Sequence, residues 1–323
     1  MRESILRMLY EHNGEYISGE YISKQLGITR AAVWKHIQCL QKEGNTIEAA
    51  TRKGYRLAGS QEAFRPAFIK PQLKTKRLGC ELIYVETLAS TNLLARELMQ
   101  QGCKHGTVII AEQQLKGRGR LGRSWVNEKG KDICMSIVLK PRLETQYAPI
   151  FTLATALGIH KLTADLGLTP SIKWPNDVLI SEKKFCGILL EMQSNANEVD
   201  HIIVGIGLNV NTLLFPDELV NFATSLALEG SCQLNRSKIA AELLNSLEPL
   251  YDACEHEKNF TLLLNEYKER CSTLGRQIEV TGLSSTLVGV AEGIDFSGRL
   301  LLRTEDDQVH AISAGDVTLR RNR

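Results

Sequence analysis

The chain lacks any run of 18 apolar residues, and no basic start leads into an apolar stretch. No segment is therefore expected to span a membrane or act as a secretory leader, and a cytoplasmic protein with no membrane partner is expected. Clustered cysteines are missing as well. The eight cysteines stand at 39, 80, 103, 134, 186, 232, 254 and 271, with no two inside five residues of one another. That spacing excludes the usual zinc and redox motifs and predicts buried free thiols in a reducing compartment. Repeats and low-complexity tracts are absent. A net charge of +2 means that the molecule as a whole is not a polycation.

What is present suits two or three domains. In 323 residues, 43% hydrophobic and 24% charged content leaves enough apolar material for a sizeable core. Positive charge gathers in two places. Thr29 to Arg56 holds Arg30, Lys35, Lys42, Arg52, Lys53 and Arg56 against Glu43 and Glu48. Lys116 to Lys131 holds six basic residues against Glu128 alone. Local clusters of this kind attract phosphates even when the total is near neutral.

The first cluster lies in a helix-turn-helix pattern. Ser4 to Tyr10 has helical spacing. Ser18 reads as the N-cap of a helix through Leu26, with Tyr21, Ile22 and Leu26 inward. Gly27-Ile28 makes the turn, and Thr29 caps a second helix, Arg30 to Lys42, with Val33, Ile37 and Leu40 on its inner face. After Gly44, Ile47 to Ala50 and Tyr55 to Leu57 flank a basic tip, a hairpin "wing". The pattern also fits a small packing module with a solvated basic face; the basic hairpin directly after the helix favours DNA. Gly59 to Lys76, with Pro66 and Pro71, reads as a linker and entry segment, with a short helix over Ile69 to Leu73.

The second cluster is Gly117-Arg118-Gly119-Arg120-Leu121-Gly122-Arg123-Ser124-Trp125, after an apolar strand Thr107 to Ala111. Glycines let backbone approach a ligand, arginines offer forked donors, and an indole can stack on a base. The glycines spell G-x-G-x-x-G, but no helix starts inside the motif, so a dinucleotide fold is rejected; a P-loop pattern is absent too. A loop that wraps an anion and a flexible solvated loop both remain open. Around it lie Ser90-Thr91-Asn92 at a helix start, which reads as capping or as a polar ligand site. Strand residues Ser171 to Ile180 are interrupted by Trp174-Pro175-Asn176-Asp177, an Asx turn or a site for metal-bound phosphate. Lys184 precedes a buried strand, and Gly205 and Gly207 interrupt another, Ile202 to Val210. Ile150 to Leu166 is expected as an amphipathic helix. Pro216 to Leu228, Asn235 to Glu255 and Phe260 to Glu269 are also expected as helices. From Gln277 onward short strands (278–280, 287–290, 300–302, 309–312) suggest a small β-barrel.

Set side by side, Ser90-Thr91-Asn92, GRGRLGRSW at 117–125, KWPNDVLI at 173–180, KKFCGILLEM at 183–192, GIGLNVN at 205–211 and GIDFSGRLLL at 293–302 resemble the biotin protein ligase family. The N-terminal SGEYISKQLGITRAAVWKHIQCL and its Arg-Lys-Gly-Tyr wing point to the bacterial type that is also the biotin-operon repressor. The resemblance implies an α+β multidomain protein. Its parts are a winged helix-turn-helix (1–60), a linker (61–76), a catalytic domain of mixed sheet flanked by helices in the class II synthetase-like biotin ligase fold (77–273), and an SH3-like barrel (274–323). It implies that biotin and Mg²⁺-bound ATP give biotinyl-5′-AMP, and that biotin then passes to a lysine of a biotin carboxyl carrier protein domain. Lys184, Arg118 and Arg120 would act on the reacting groups. Ser90, Thr91, Asn92, Gln114, Gly117, Arg118, Lys184, Gly187, Gly205 and Gly207 would hold biotin. Arg118, Arg120, Arg123, Trp125, Asn176, Asn209 and Asn211 would hold the nucleotide, and Asp177 the metal. Ser18, Arg30, Ala31, Ala32, Lys35, His36, Arg52 and Lys53 would meet operator DNA, with a ligand-promoted homodimer as the binding form. Two rivals are weighed beside this: a ligand-sensing transcription factor without turnover, and a lipoate ligase.

Overall fold

The computed structural model describes residues 1–12, 14–42, 45–58, 64–256, 260–282 and 286–319. Gly44 and the start of the expected linker, 59–63, lie outside them. The chain divides into two compact units: residues 1–73 with 235–241, and residues 74–234 with 242–323.

The first unit follows the helix-turn-helix pattern. Helices Arg2–Glu11, Gly19–Leu26 and Arg30–Lys42 bury Ile5, Leu9, Ile22, Val33, Ile37 and Leu40 against one another. Ser18 accepts the Tyr21 N–H at 3.0 Å and Thr29 accepts that of Ala32 at 3.2 Å, so each N-cap satisfies an otherwise orphaned amide. Gly27 takes the left-handed conformation that the sharp turn requires. Tyr21 was expected inward but is 43% exposed; only Ile22 of its turn is fully buried. Strands Ile47–Ala50 and Gly54–Leu57 form the wing hairpin. Helix Pro66–Ile69 and a 3-10 turn Lys70–Gln72 replace the helix expected at 69–73, because Pro66 suits the first helical position and starts it earlier.

The second unit contains a seven-stranded mixed sheet. Its spatial order is Leu82–Leu88, Val108–Gln114, Ile133–Leu139, Glu198–Leu208, Lys183–Asn195, Asp177–Ile180 and Pro170–Lys173. Only the first pair is parallel. Helix Thr91–Gln100 covers one face, with Ala95 packed among Ile109, Val138 and Ile203. Helix Ile150–Asp165 packs on the strands at the other end and against helix Thr261–Arg270. It is not the amphipathic helix expected: residues 150–159 are buried without a break. Each such fully buried Leu, Ile or Phe contributes about 1.5–3 kcal/mol, so this helix is a core element rather than a surface one.

Two further expectations fail locally. Residues 217–222 form turns, Ala223 bridges to Lys184, and the helix is only Leu226–Gly230, because Leu213, Leu214 and Phe222 are exposed and offer no buried stripe. Of the cysteines, 134, 186, 254 and 271 are buried, while 39, 80 and 232 are exposed and 103 is half-buried. The C-terminal strands form a five-stranded antiparallel sheet, Val309–Ile312, Leu300–Thr304, Thr286–Ile294, Gln277–Thr281 and Asp316–Leu319. The last strand was not anticipated.

Candidate functional site

The glycine-arginine segment folds as a hairpin. Gly117–Arg118 pairs antiparallel with Ser124–Trp125, and Arg120–Gly122 forms the turn. A side chain at Gly117 would overlap the Trp125 carbonyl, so glycine permits the strands to close. Arg120 is half-buried. Its Nη1 donates to Asn176 Oδ1 at 2.9 Å and its Nη2 to the Gly315 carbonyl at 3.4 Å. Arg123 pairs with Asp316. The C-terminal sheet thus holds the hairpin through residues 315 and 316, a role that the sequence did not disclose. Burial lowers the pKa of Arg120, while Asp177 and Asp316 oppose that effect.

Beneath the hairpin the sheet has no side chains where they would intrude. Gly187 pairs with Gly207, and Gly205 lies between Leu189 and Ser136. Trp125 rests on this floor: a Cβ on Gly207 would overlap its ring, and one on Gly187 would come 3.0 Å from the ring and 2.9 Å from Lys184 Nζ. Lys184 Nζ lies 5.6 Å from the indole centroid and 2.6 Å from Asp177 Oδ1. The Trp125 Nε1 donor is buried and bonds nothing among the described residues.

Two cavities meet at this point. A pocket of 120 Å³ lies under the hairpin, bounded by Ser90, Thr91, Asn92, Gln114, Arg118, Arg120, Asn176 and the three floor glycines. A cleft of 1260 Å³ opens beyond Trp125, between residues of 123–132 and of 209–223. Arg123, Ser124, Trp125, Asp177 and Lys184 line both. The junction gathers three cationic side chains if Arg120 is included, and the nearby Lys173 amine has its pKa lowered by burial, with Asp177 opposing. Such a place suits two anions that must be brought together.

The pocket's polar end is a network. Ser90 occupies the N-cap position of helix Thr91–Gln100 but makes no side-chain capping bond, so the capping reading fails for it. Thr91 donates its N–H at 2.8 Å and its hydroxyl at 3.0 Å to Gln114 Oε1. Ser136, not foreseen, donates to Asn92 Oδ1 at 2.6 Å and lies 2.7 Å from Thr91 Oγ1. Asn92 in turn donates to Glu191 Oε2 at 3.0 Å, which leaves its amide tied inside the protein. In the cleft, Asn209 reaches the wall while donating to the Thr224 carbonyl at 3.0 Å. Asn211 is not brought to the cavity; both of its amide atoms bond Leu234 at 2.9 Å. No group of three or more His, Cys, Asp or Glu suited to a metal occurs among the described residues, and Asp177 stands as a single carboxylate beside Lys184. Burial pushes the Cys186 thiol well up, so it offers no thiolate nucleophile.

In the first unit a groove of 700 Å³ lies between helix Arg30–Lys42 and the wing. Ser18, Arg30, Ala31 and Arg52 line it, with Gln38 of the helix's outward face, and so does Trp34, which the sequence reading passed over. Trp34 is 50% exposed and out of phase with the buried Val33-Ile37-Leu40 stripe; that phase was the available signal. Lys35 points to solvent, Ala32 and His36 are half-buried, and Lys53 lies 5.9 Å from the Tyr16 ring at the wing.

Comparison with known proteins agrees with this geometry. Residues 84–209 match the model of the biotin/lipoate A/B protein ligase family, 2–56 an HTH domain, and 273–320 the biotin protein ligase C-terminal domain. The chain is 38% identical to the bifunctional ligase/repressor BirA of Bacillus spizizenii, over 99% of its own length and 98% of that protein. It is 30% identical to BirA of Escherichia coli over 95% and 94% of the two chains. Among solved structures, biotin protein ligase from Aquifex aeolicus in complex with biotin and ATP superposes with a TM-score of 0.63 at 29% identity, covering 75% of this chain and all of that one. A ligase domain, a C-terminal sheet and an N-terminal helix-turn-helix in one chain, matched end to end by such relatives, place it in the biotin protein ligase family, in the bifunctional form that joins an ATP-dependent ligase to a DNA-binding repressor.

Proposed function

We propose that the two joined cavities make biotinyl-5′-AMP. Biotin occupies the 120 Å³ pocket with its ring end at Ser90, Thr91 and Gln114, and ATP occupies the 1260 Å³ cleft. The observation that carries this reading is the shared wall: Lys184, Asp177, Arg123 and Trp125 border both cavities, so a carboxylate and an α-phosphate meet there. The carboxylate oxygen attacks the α-phosphorus, and the bond to the β-phosphate oxygen breaks to release pyrophosphate. Lys184 offsets the charge on the attacked phosphate, and Arg118 and Arg120 offset that of the carboxylate and phosphates. Trp125 stacks on adenine on its cleft side, and its unpaired Nε1 donor is available to a ligand oxygen. Mg²⁺ would arrive with the triphosphate, neutralising its charge, and Asp177 is the carboxylate placed to meet it; magnesium sites need only one or two protein carboxylates beside phosphates. Biotin then passes to a carrier-domain lysine, whose amine attacks the acyl carbon and expels AMP. Biotin-dependent release of pyrophosphate from ATP, with lipoate unable to replace biotin, tests this; equal use of both acids would contradict it.

The N-terminal unit reads an operator. Helix Arg30–Lys42 enters the major groove, and Lys35, Arg52 and Lys53 meet phosphates. The functional divisions are 1–60, 77–273 and 274–323, with 61–76 as the connection. Closure of the 117–125 hairpin on the adenylate orders an adjoining surface and promotes a homodimer, which binds two half-sites. The chain works in the cytoplasm; no helix among the described residues is long and apolar enough to cross a membrane.

A further inference from the structure

Asp132 is 1% exposed, immediately before strand Ile133–Leu139, and has no place in the chemistry above. Burying a carboxylate is costly unless its oxygens are satisfied. Here they are satisfied from two separate segments. Oδ2 accepts the Glu128 N–H at 3.0 Å, from the segment that follows Trp125. Oδ1 accepts the Val210 N–H at 3.1 Å, and the Thr212 hydroxyl lies 2.8 Å from both oxygens. A second strap runs in parallel: the Asn211 N–H donates to the Lys131 carbonyl at 3.0 Å.

These two segments are the opposite walls of the large cleft. One carries Trp125 to Lys131, the other Thr212 to Ala223. The second wall is fastened at its far end, where the Lys184 N–H donates to the Phe222 carbonyl at 2.7 Å and the Thr224 N–H to the Lys184 carbonyl at 3.0 Å, and again at its root. Ser225 donates to the Thr212 carbonyl at 2.6 Å, and the Leu226 and Ala227 amides bond the Asn209 and Val210 carbonyls at 3.1 and 2.8 Å. Beyond that root its apolar side chains stand out, with Leu214 86% and Phe222 70% exposed. A single buried carboxylate therefore joins the fastened root of one wall to the backbone of the other.

We propose that Asp132 is a positioning residue that sets the separation of the two walls and so the fit of the nucleotide, without touching the biotin pocket. The proposal rests on the reading of the cleft as the ATP site. Asp132→Asn keeps shape but turns one acceptor into an NH₂ group facing an N–H donor. In the full chain, biotin-dependent pyrophosphate release should show the KM for ATP raised about tenfold, the size of one charge-assisted hydrogen bond. The KM for biotin should stay within about twofold, because only the nucleotide wall is disturbed. Thr212→Val removes one donor and leaves both backbone bonds; it should shift the KM for ATP the same way by about threefold, and it decides the matter if Asp132→Asn does not fold. An unchanged KM for ATP in the folded variant, or a KM for biotin rising in step with it, overturns the proposal. Absence of biotin-dependent pyrophosphate release by the unmodified chain overturns the reading of the cleft itself, and is thereby told apart from failure of Asp132's role alone.

Discussion

Lys184 stands 2.6 Å from Asp177 where the two cavities join, and the pairing explains why a half-buried ammonium is tolerated there before any substrate arrives. When two anionic substrates meet at that point, the lysine gains a second partner whose charge changes during the reaction. Lys184→Met should therefore lower kcat for biotin-dependent pyrophosphate release by about 10²–10³, the usual cost of one group aimed at developing charge. A loss confined to KM would assign the lysine to binding alone. A different residue contributes to stability in a pH-dependent way. Glu248 is 7% exposed; burial raises its pKa, but the Lys76, Arg77 and Leu78 N–H groups at 2.6, 3.0 and 2.8 Å outweigh it and hold the carboxyl below its ordinary value. A depressed folded-state pKa stabilises above the unfolded value and is lost as pH falls through the folded one. Glu248→Gln should thus cost about 2 kcal/mol at neutral pH, with the difference from wild type shrinking below about pH 4 in denaturant titrations. At this scale the sequence was informative where residue type is restrictive. Arginines, a tryptophan and glycines at 117–125 could be read as a ligand loop, whereas Asp132, Ser136 and Asp316 are ordinary residue types whose importance comes from partners 44 to 193 positions away.

The 117–125 hairpin is short and depends on what it touches. Two of its arginines are held by the C-terminal strand region, Arg120 by the Gly315 carbonyl and Arg123 by Asp316. Asp316→Ala should free Arg123 and quicken dissociation of the adenylate by about three- to tenfold, since the pair is partly exposed and contributes about 1 kcal/mol. Trapping of released adenylate by an excess of unlabelled biotin and ATP measures this; an unchanged rate would confine the sheet to a structural part. Elements with strict periodicity were readable: the helices at 2–11, 19–26 and 30–42 and the strand at 177–180 fall where expected. Those decided by tertiary context were not. Leu and Phe residues in 213–222 have a helix-like density, yet they line a cleft and the backbone turns. Strand Asp316–Leu319 pairs with Gln277–Thr281, a partner distant in sequence, and Val317 alone carries no alternating pattern long enough to announce it.

As a whole the molecule joins a phosphate-seeking module to an adenylating one, and both use local charge rather than net charge, which is only +2. Operator affinity should then depend strongly on salt through a few residues. Arg52→Ala with Lys53→Ala should weaken binding to all duplexes and lower the slope of log affinity against log salt by about 2, one for each phosphate that the variant leaves unneutralised. Trp34→Ala should instead reduce affinity for the operator more than for random duplex, because its indole lines the groove without carrying charge. Adenylation followed by transfer is tested most directly by supplying labelled biotin, ATP and a carrier domain to the full chain and counting products. One pyrophosphate should be released for each biotin attached to the carrier lysine, with the adenylate held on the protein when the carrier is withheld. Adenylate that forms but never passes to the carrier, or pyrophosphate released at the same rate without biotin, would contradict adenylation followed by transfer.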